Sequence, residues 1–226
     1  MESSCDTDIF LITSVINTGN NPWTYTNVRS VFSPDDRYSQ TLNAIATIRG
    51  KCPAAKIILC DCSYISDAMN IALKEATDLY IQAYTNKEIH DSCIQSNKKG
   101  YGELLQTKHV VNHLVNNNIR FRRLFKISGR YFLNSSFNID KFSTEEYSFR
   151  EPFPNSSCNS TVLYSVPYNL ITHFASAIER INIEINSDAF IMYEMSLPSQ
   201  CNPKKIVNTC GVSGYVAIDG ILYEDL

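Results

Sequence analysis

Residues 9–16, Ile-Phe-Leu-Ile-Thr-Ser-Val-Ile, carry no charge and do not alternate polar with apolar. Successive strand residues face opposite sides of a sheet, so such a run reads as a central strand buried on both faces, the parallel-sheet type. It ends in Asn17-Thr-Gly-Asn-Asn-Pro22, a loop by composition. Ser33-Pro-Asp-Asp36 then has the form of a helix start: Ser33 as cap, Pro34 at the first position and two acids in the first turn. The helix carries Tyr38, Leu42, Ile45 and Ile48 on one face and meets stop signals at Gly50 and Pro53. Ala55-Lys-Ile-Ile-Leu-Cys60 is a second strand, ending at Asp61-Cys-Ser63. This strand-loop-helix-strand unit predicts a doubly wound α/β sheet, in which ligands sit beyond the carboxyl ends of the strands.

The pattern continues along the chain. Residues 66–76 read as a short helix, 79–83 as a third strand, and the polar stretch 85–98 as an exposed loop. Lys98-Lys-Gly-Tyr-Gly-Glu103 leads into a helix to about Asn117. Two glycines there leave backbone free to approach a ligand, and the helix start with its lysines can hold an anion; a plain turn and cap is the competing reading. His109 and His113 stand four apart on that helix, but with no Glu in the HExxH position they read as a solvated or packed face. Arg123-Leu-Phe-Lys-Ile-Ser-Gly-Arg-Tyr-Phe-Leu-Asn134 is a strand that delivers small, cationic and aromatic residues to one point. It reads either as a site or as a buried strand whose Arg pairs with an acid. Residues 135–160 are polar, with Pro152 and Pro154, and form the longest loop, placed as a flap over a site. A strand at 161–166, a helix at 168–181, an apolar segment at 189–194 ending near Glu194, and a hairpin with an Asp219-Gly220 turn complete the chain.

Length and charge narrow the function classes. The 226 residues suit one compact domain, or one domain with a small subdomain, and the net charge of -3 with a pI of about 5.8 gives no support to nucleic-acid binding. No apolar run approaches the roughly 18–20 residues of a membrane span, and the acidic start Met1-Glu-Ser-Ser-Cys-Asp-Thr-Asp8 is not a signal peptide. Eight Cys at irregular spacings, with no CxxC pair, imply free thiols in a reducing compartment and a cytoplasmic location. The sequons at Asn134, Asn155 and Asn159 then carry little meaning.

Three polar strand ends fall on one sheet edge: Thr13, Ser14 and Asn17; Asp61 and Ser63; and Ser128 and Arg130. That convergence is the main argument for a ligand site. No GxGxxG follows the first strand and no GxxxxGK[ST] occurs, which counts against a dinucleotide site and a P-loop.

Arg37-Tyr-Ser-Gln-Thr-Leu42 with Ile45 and Ile48, Ile57-Ile-Leu-Cys-Asp61, Lys99-Gly-Tyr-Gly-Glu103 and Lys126-Ile-Ser-Gly-Arg-Tyr131, in this order, resemble small GT-A-type glycosyltransferases. The likeness is to those of large DNA viruses, including the chlorella-virus type, and to related bacterial sugar transferases; it spans roughly residues 9–225 on short motifs. It implies a GT-A-like (Rossmann-like) single domain with a mixed, mostly parallel sheet flanked by helices. Within it, about 9–125 would be the nucleotide-sugar-binding half and about 126–226 the acceptor half. It further implies a nucleoside-diphosphate sugar donor, a UDP-sugar favoured, and a hydroxyl acceptor such as a glycan, in host-cell cytoplasm if the source is viral. Thr13, Ser14 and Asn17 would lie near the nucleoside, Asp61 near the base, and Arg29 or Arg37 near base, ribose or phosphates. Lys99, Gly100, Gly102 and Glu103 would border the sugar or diphosphate, and Ser128-Gly129-Arg130-Tyr131 would stand where the family places its Asp-x-Asp motif for Mn2+ or Mg2+.

Here the sequence departs from the family. The one Asp-x-Asp match is Asp6-Thr-Asp8, so metal dependence is open and no metal ligand is assigned. A cation from Arg130 or Lys126 would take part of the metal's role. A carboxylate must accept the acceptor's proton in an inverting transfer; Glu194 is the first candidate and Asp219 the second, although a hairpin turn accounts for Asp219 equally well. A catalytically silent nucleotide- or glycan-binding domain is the rival reading, favoured by the missing motif. A nucleotidyltransferase is a third, lacking its basic Gly-rich loop and paired acids.

Overall fold

The computed structural model describes residues 7–23, 26–98, 100–151, 160–187 and 193–225, with the side chains of 194 and 195 outside that description. Its frame is a seven-stranded sheet in the order β3-β2-β1-β4-β7-β6-β8. The strands are β1 (Ile9–Ser14), β2 (Lys56–Asp61), β3 (Leu79–Gln82), β4 (Arg123–Ser128), β6 (Tyr147–Arg150), β7 (Leu163–Pro167) and β8 (Lys204–Val207). A second sheet, β10-β9-β5, joins β5 (Tyr131–Leu133), β9 (Val212–Tyr215) and β10 (Leu222–Asp225). The helices are α1 (Pro34–Lys51), α2 (Asp67–Ala76), α3 (Lys87–Ile94), α4 (Tyr101–Asn116), α5 (Ile171–Ser187) and α6 (Tyr193–Gln200). β3, β2, β1 and β4 run parallel, while β7 is antiparallel to both β4 and β6. The α/β expectation therefore holds, and one sheet runs through the boundary expected near residue 125.

β1 lies inside the sheet between β2 and β4, and all six of its residues are buried. Phe10 and Ile12 join α1 and α2 on one face, with Phe10 stacked on Phe125 of β4 at 4.7 Å between ring centroids. Ile9 and Leu11 join α3, α4 and α5 on the other. Each fully buried side chain of this size contributes roughly 1.5–3 kcal/mol of transfer free energy. The helix α1 starts where its signature places it. Ser33 and Asp36 satisfy each other's backbone N–H groups in a capping box, and Pro34 occupies the first turn. Ser66 caps α2 through the Met69 N–H.

Three expectations change. Residues 87–94 form α3 rather than an exposed loop: Asn86 caps it, and Ile89 and Cys93, four apart, bury its inner face. Within the expected flap at 135–160 lies a real strand, β6, whose Tyr147 and Phe149 are buried; residues 152–159 lie outside the described region. The segment 188–192 also lies outside it, and Glu194 falls in the first turn of α6. The terminal hairpin is present as β9 and β10, with Gly220 at φ 73° in its turn. No helix among the described residues is long and apolar enough to cross a membrane.

Candidate functional site

The carboxyl ends of β1 and β4 open on a cleft that is continuous with solvent. β1 supplies Thr13, Ser14 and the following Val15; the turn after β4 supplies Ser128, Gly129 and Arg130. Arg37 and Thr41, one turn apart on α1, close one side, and Glu103 and Gln106 of α4 close the other. Seven residues expected at the site thus meet in one place: Thr13, Ser14, Arg37, Glu103, Ser128, Gly129 and Arg130.

A side chain at Gly129 would crowd its neighbours. A Cβ on it would lie 3.0 Å from Thr41 Oγ1 and 3.2 Å from Ser14 Cβ, while its N–H donates to the Thr13 carbonyl at 2.8 Å. The glycine draws the end of β4 against β1 and α1, and so brings Arg130 alongside Arg37.

The two arginines of the cleft are bonded differently from Arg49, Arg122 and Arg123, each of which holds an aspartate. Arg37 is buried; its Nε donates to the Val15 carbonyl at 2.5 Å and its Nη1 lies 3.5 Å from Ser30 Oγ. Half-buried Arg130 donates from Nε to the Tyr215 carbonyl at 3.4 Å. Neither guanidinium meets a carboxylate among the described residues. Burial, and then the positive charge of Arg130, bring the Arg37 pKa down to about 9, against a smaller upward pull from Asp61. Thr13 Oγ1, also buried, has no hydrogen-bond partner, a cost that a native interior ordinarily avoids.

The acid in the cleft is already engaged. Glu103 Oε1 pairs with the Nζ of Lys126, and its Oε2 accepts from Ser128 Oγ at 2.9 Å. Lys126 is fully buried, and its Nζ also reaches Ser128 Oγ at 3.3 Å and the Thr161 carbonyl at 3.1 Å, above the ring of Tyr164. The lysine therefore holds Glu103 in position. It does not face the cleft as the alternative cation the sequence suggested.

Other expected site residues have structural work elsewhere. Asp61 is fully buried. Its Oδ2 accepts from Ile16 N at 3.1 Å and its Oδ1 from Ser63 N and Oγ at 2.8 and 2.7 Å, so it ties the ends of β1 and β2 together. Arg29 donates to the carbonyls of Asn21, Ser96 and Cys93 and stacks 4.1 Å from the Trp23 ring centroid, which clamps the loop before α1 to α3. Gly100 caps α4 at φ 77°, and Gly102 lets α4 approach α3: a Cβ there would lie 2.6 Å from Cys93 Sγ. Tyr131 is buried against Tyr223 between the second sheet and α1. Exposed Asn17 accepts from Gly19 N in a turn, and exposed Asp219 accepts from Ile221 N at 2.9 Å in the hairpin turn. Lys99 and the side chain of Glu194 lie outside the described residues. The backbone of Glu194 follows Tyr193, whose hydroxyl lies 2.7 Å from that of Tyr164 beneath Lys126.

Gln106 and Thr41 were not anticipated. Gln106 Oε1 accepts from Ser14 N at 3.2 Å, and its amide donates to Cys62 and Cys93 sulfurs. Thr41 donates to the Arg37 carbonyl at 2.9 Å and stands 3.2 Å from Ser14 Oγ. The available signal was their helical spacing: Arg37 and Thr41 are four apart, and Gln106 follows Glu103 by three. The six described cysteines are buried free thiols. Burial pushes Cys52 up to about 11 and Cys210 up to about 12, which removes them as nucleophiles.

The donor set does not fit a divalent cation. Mn2+ or Mg2+ takes about six oxygen ligands, carboxylates foremost, whereas this cleft offers one carboxylate with both oxygens engaged and two guanidiniums. No group of three His, Cys, Asp or Glu converges on a metal-sized point among the described residues.

No family model matches the sequence, and no curated protein matches it. Among solved structures, the chain is similar to a glycosyltransferase involved in the glycosylation of the major capsid of PBCV-1, at 6% identity and a TM-score of 0.48, over 89% of this chain and 82% of that one.

Proposed function

We propose that the chain is a glycosyltransferase that takes a nucleoside-diphosphate sugar, a UDP-sugar in preference, and passes the sugar to a hydroxyl acceptor such as a glycan. The observation that carries the reading is the cleft at the carboxyl ends of β1 and β4, where two guanidiniums without carboxylate partners face an unpartnered buried threonine hydroxyl. A diphosphate supplies the oxygens that such donors lack. The resemblance of the Arg37–Leu42, Lys99–Glu103 and Lys126–Tyr131 segments to GT-A-type enzymes supports the same donor and the same arrangement of halves.

Each residue then has a role. Arg37 and Arg130 bind the diphosphate and stabilise the charge that grows on it as the bond to the sugar breaks. Thr13 donates its hydroxyl to the ligand. Glu103, held by Lys126 and Ser128, accepts a hydrogen bond from a sugar hydroxyl and fixes the ring. Glu194, in the first turn of α6, takes the acceptor's proton in an inverting transfer. Asp219 is left to its turn.

A thermal-shift panel of UDP, GDP, CDP and their sugars tests the reading, with a raised midpoint expected for one base; stabilisation by none of them ends it. Glu194→Gln should then abolish transfer and leave donor binding within about twofold, an energy difference of roughly 0.4 kcal/mol. A silent binding domain of the same fold is the second reading. It is favoured by one observation: both oxygens of Glu103, the acid lining the cleft, are already taken. Donor that binds but is neither hydrolysed nor transferred would select it.

A further inference from the structure

We infer that the diphosphate of the ligand is neutralised in this cleft by the Arg37–Arg130 pair, without a divalent cation. This rests on the donor reading above and goes further by naming what balances the charge. Three features of the cleft converge on it. Its carboxylate is consumed by Lys126 and Ser128, and its other side-chain amide, Gln106, gives its oxygen to Ser14 N. The cleft thus lends one carboxylate, already neutralised by a lysine, where a divalent cation takes about six oxygen ligands. Two positive side chains converge on the same space and repel a cation there. The buried hydroxyl of Thr13 lacks a partner, and a phosphate oxygen accepts the hydrogen bond that it cannot make within the chain.

The packing explains why the arginines stay unpaired. Gly129 brings the β4 turn against Ser14 and Thr41, so Arg130 is set opposite Arg37 by backbone contacts. Val15 and Tyr215 anchor the two guanidiniums through Nε, which orients the remaining donors of each fork. Lys126 contributes indirectly, as the positioning residue for Glu103. Bringing two like charges together in a partly buried site is unfavourable until an anion lies between them. The arrangement is therefore that of an anion site awaiting its ligand, and a diphosphate, with several oxygens and at least two charges, matches a pair of forks.

The test is calorimetric titration of the full chain with UDP, GDP and CDP, and separately with inorganic pyrophosphate, in EDTA and again in Mn2+ or Mg2+. The expected result is a nucleoside-diphosphate affinity that is the same with EDTA and with metal. Arg130→Ala should weaken it about ten- to a hundredfold, as loss of a charge-assisted bond does. Arg130→Lys should recover part of the loss, and an unchanged unfolding midpoint would show that the variant is folded. Binding that requires the metal overturns the inference and leaves the donor reading standing. Pyrophosphate binding in EDTA, lost in Arg130→Ala, without binding of any nucleoside diphosphate upholds the arginine pair and overturns the donor reading. No binding of any of these probes overturns both.

Discussion

The two ends of the central strand pair use the same side chain for opposite ends. At the amino ends of β1 and β4, Arg122 and Arg123 both grip Asp8. Arg123 does so with Nε at 3.0 Å and Nη2 at 2.9 Å, and gives Nη1 to the carbonyls of Ile139 and Phe142. At the carboxyl ends, Arg37 and Arg130 donate to backbone carbonyls and approach a serine hydroxyl, Arg130 lies 5.8 Å from the Tyr131 ring centroid, and neither pairs with an acid among the described residues. A buried ion pair in which all three guanidinium nitrogens are bonded is architecture, and cutting it leaves an uncompensated charge. A pair of buried or half-buried cations with no acid is an unfinished interaction. The finished end holds the sheet together, and the unfinished end is where a ligand completes it.

That contrast can be broken most severely at the paired end. Asp8→Ala removes the carboxylate that the buried Arg123 guanidinium pairs with, and should cost about 3–5 kcal/mol of stability, read as a drop in the denaturant midpoint. Arg130→Ala should shift the same midpoint by no more than about 0.5 kcal/mol. An equal loss in both variants would erase the distinction between the ends.

Ligand stabilisation sharpens the contrast from the other side. A nucleoside diphosphate at a hundred times its Kd should stabilise the native chain by about 2.7 kcal/mol. The same ligand concentration should give Arg130→Ala about half of that increment or less, by thermal or chemical unfolding.

Acidity separates the ends more gently. Burial alone would raise the Asp8 pKa, but hydrogen bonds and charge from Arg122 and Arg123 outweigh it and hold the group below the usual carboxylate range. The stability Asp8 contributes is therefore present above its unfolded pKa of about 3.9 and is lost as pH falls through the lower folded value. Asp8→Asn should flatten the acid limb of the stability curve. Asp61 runs the other way. Burial raises its pKa despite hydrogen bonds from Ser63, Ser14 and Ile16, so its contribution is greatest below the unfolded value and declines as pH rises through the folded one. In Asp61→Asn, that decline on the alkaline side of the usual carboxylate range should vanish, the smallest of these effects. Urea midpoints between pH 4 and 8 would show it.

What could be seen in the sequence was what local rules decide. The charge-free run at 9–16 and the Ser33-Pro-Asp-Asp36 signature gave β1 and α1 because burial on both faces and capping are written within a few residues. α3 was not legible, since only Ile89 and Cys93 mark its inner face in a polar stretch. β6 and β8 pair with each other at the far side of the sheet, and nothing local to 147–150 or 204–207 announces that partner. The cleft followed the same division. Thr13, Ser128 and Arg130 were found because strand ends on one sheet edge must converge. Asp61 and Arg29 were misplaced because their partners are backbone groups far along the chain, Ile16 N and Cys93 O. Gly102 looked like room for a ligand and is room for Cys93.

The claim that the unpaired arginines await a diphosphate is tested most directly by titrating the native chain and Arg130→Ala side by side with UDP, or with whichever nucleoside diphosphate stabilises the native chain best. The native chain should give a saturable isotherm and the variant one about tenfold or more weaker, with matching unfolding midpoints for the two free proteins. Superimposable isotherms from two equally stable proteins would contradict that claim.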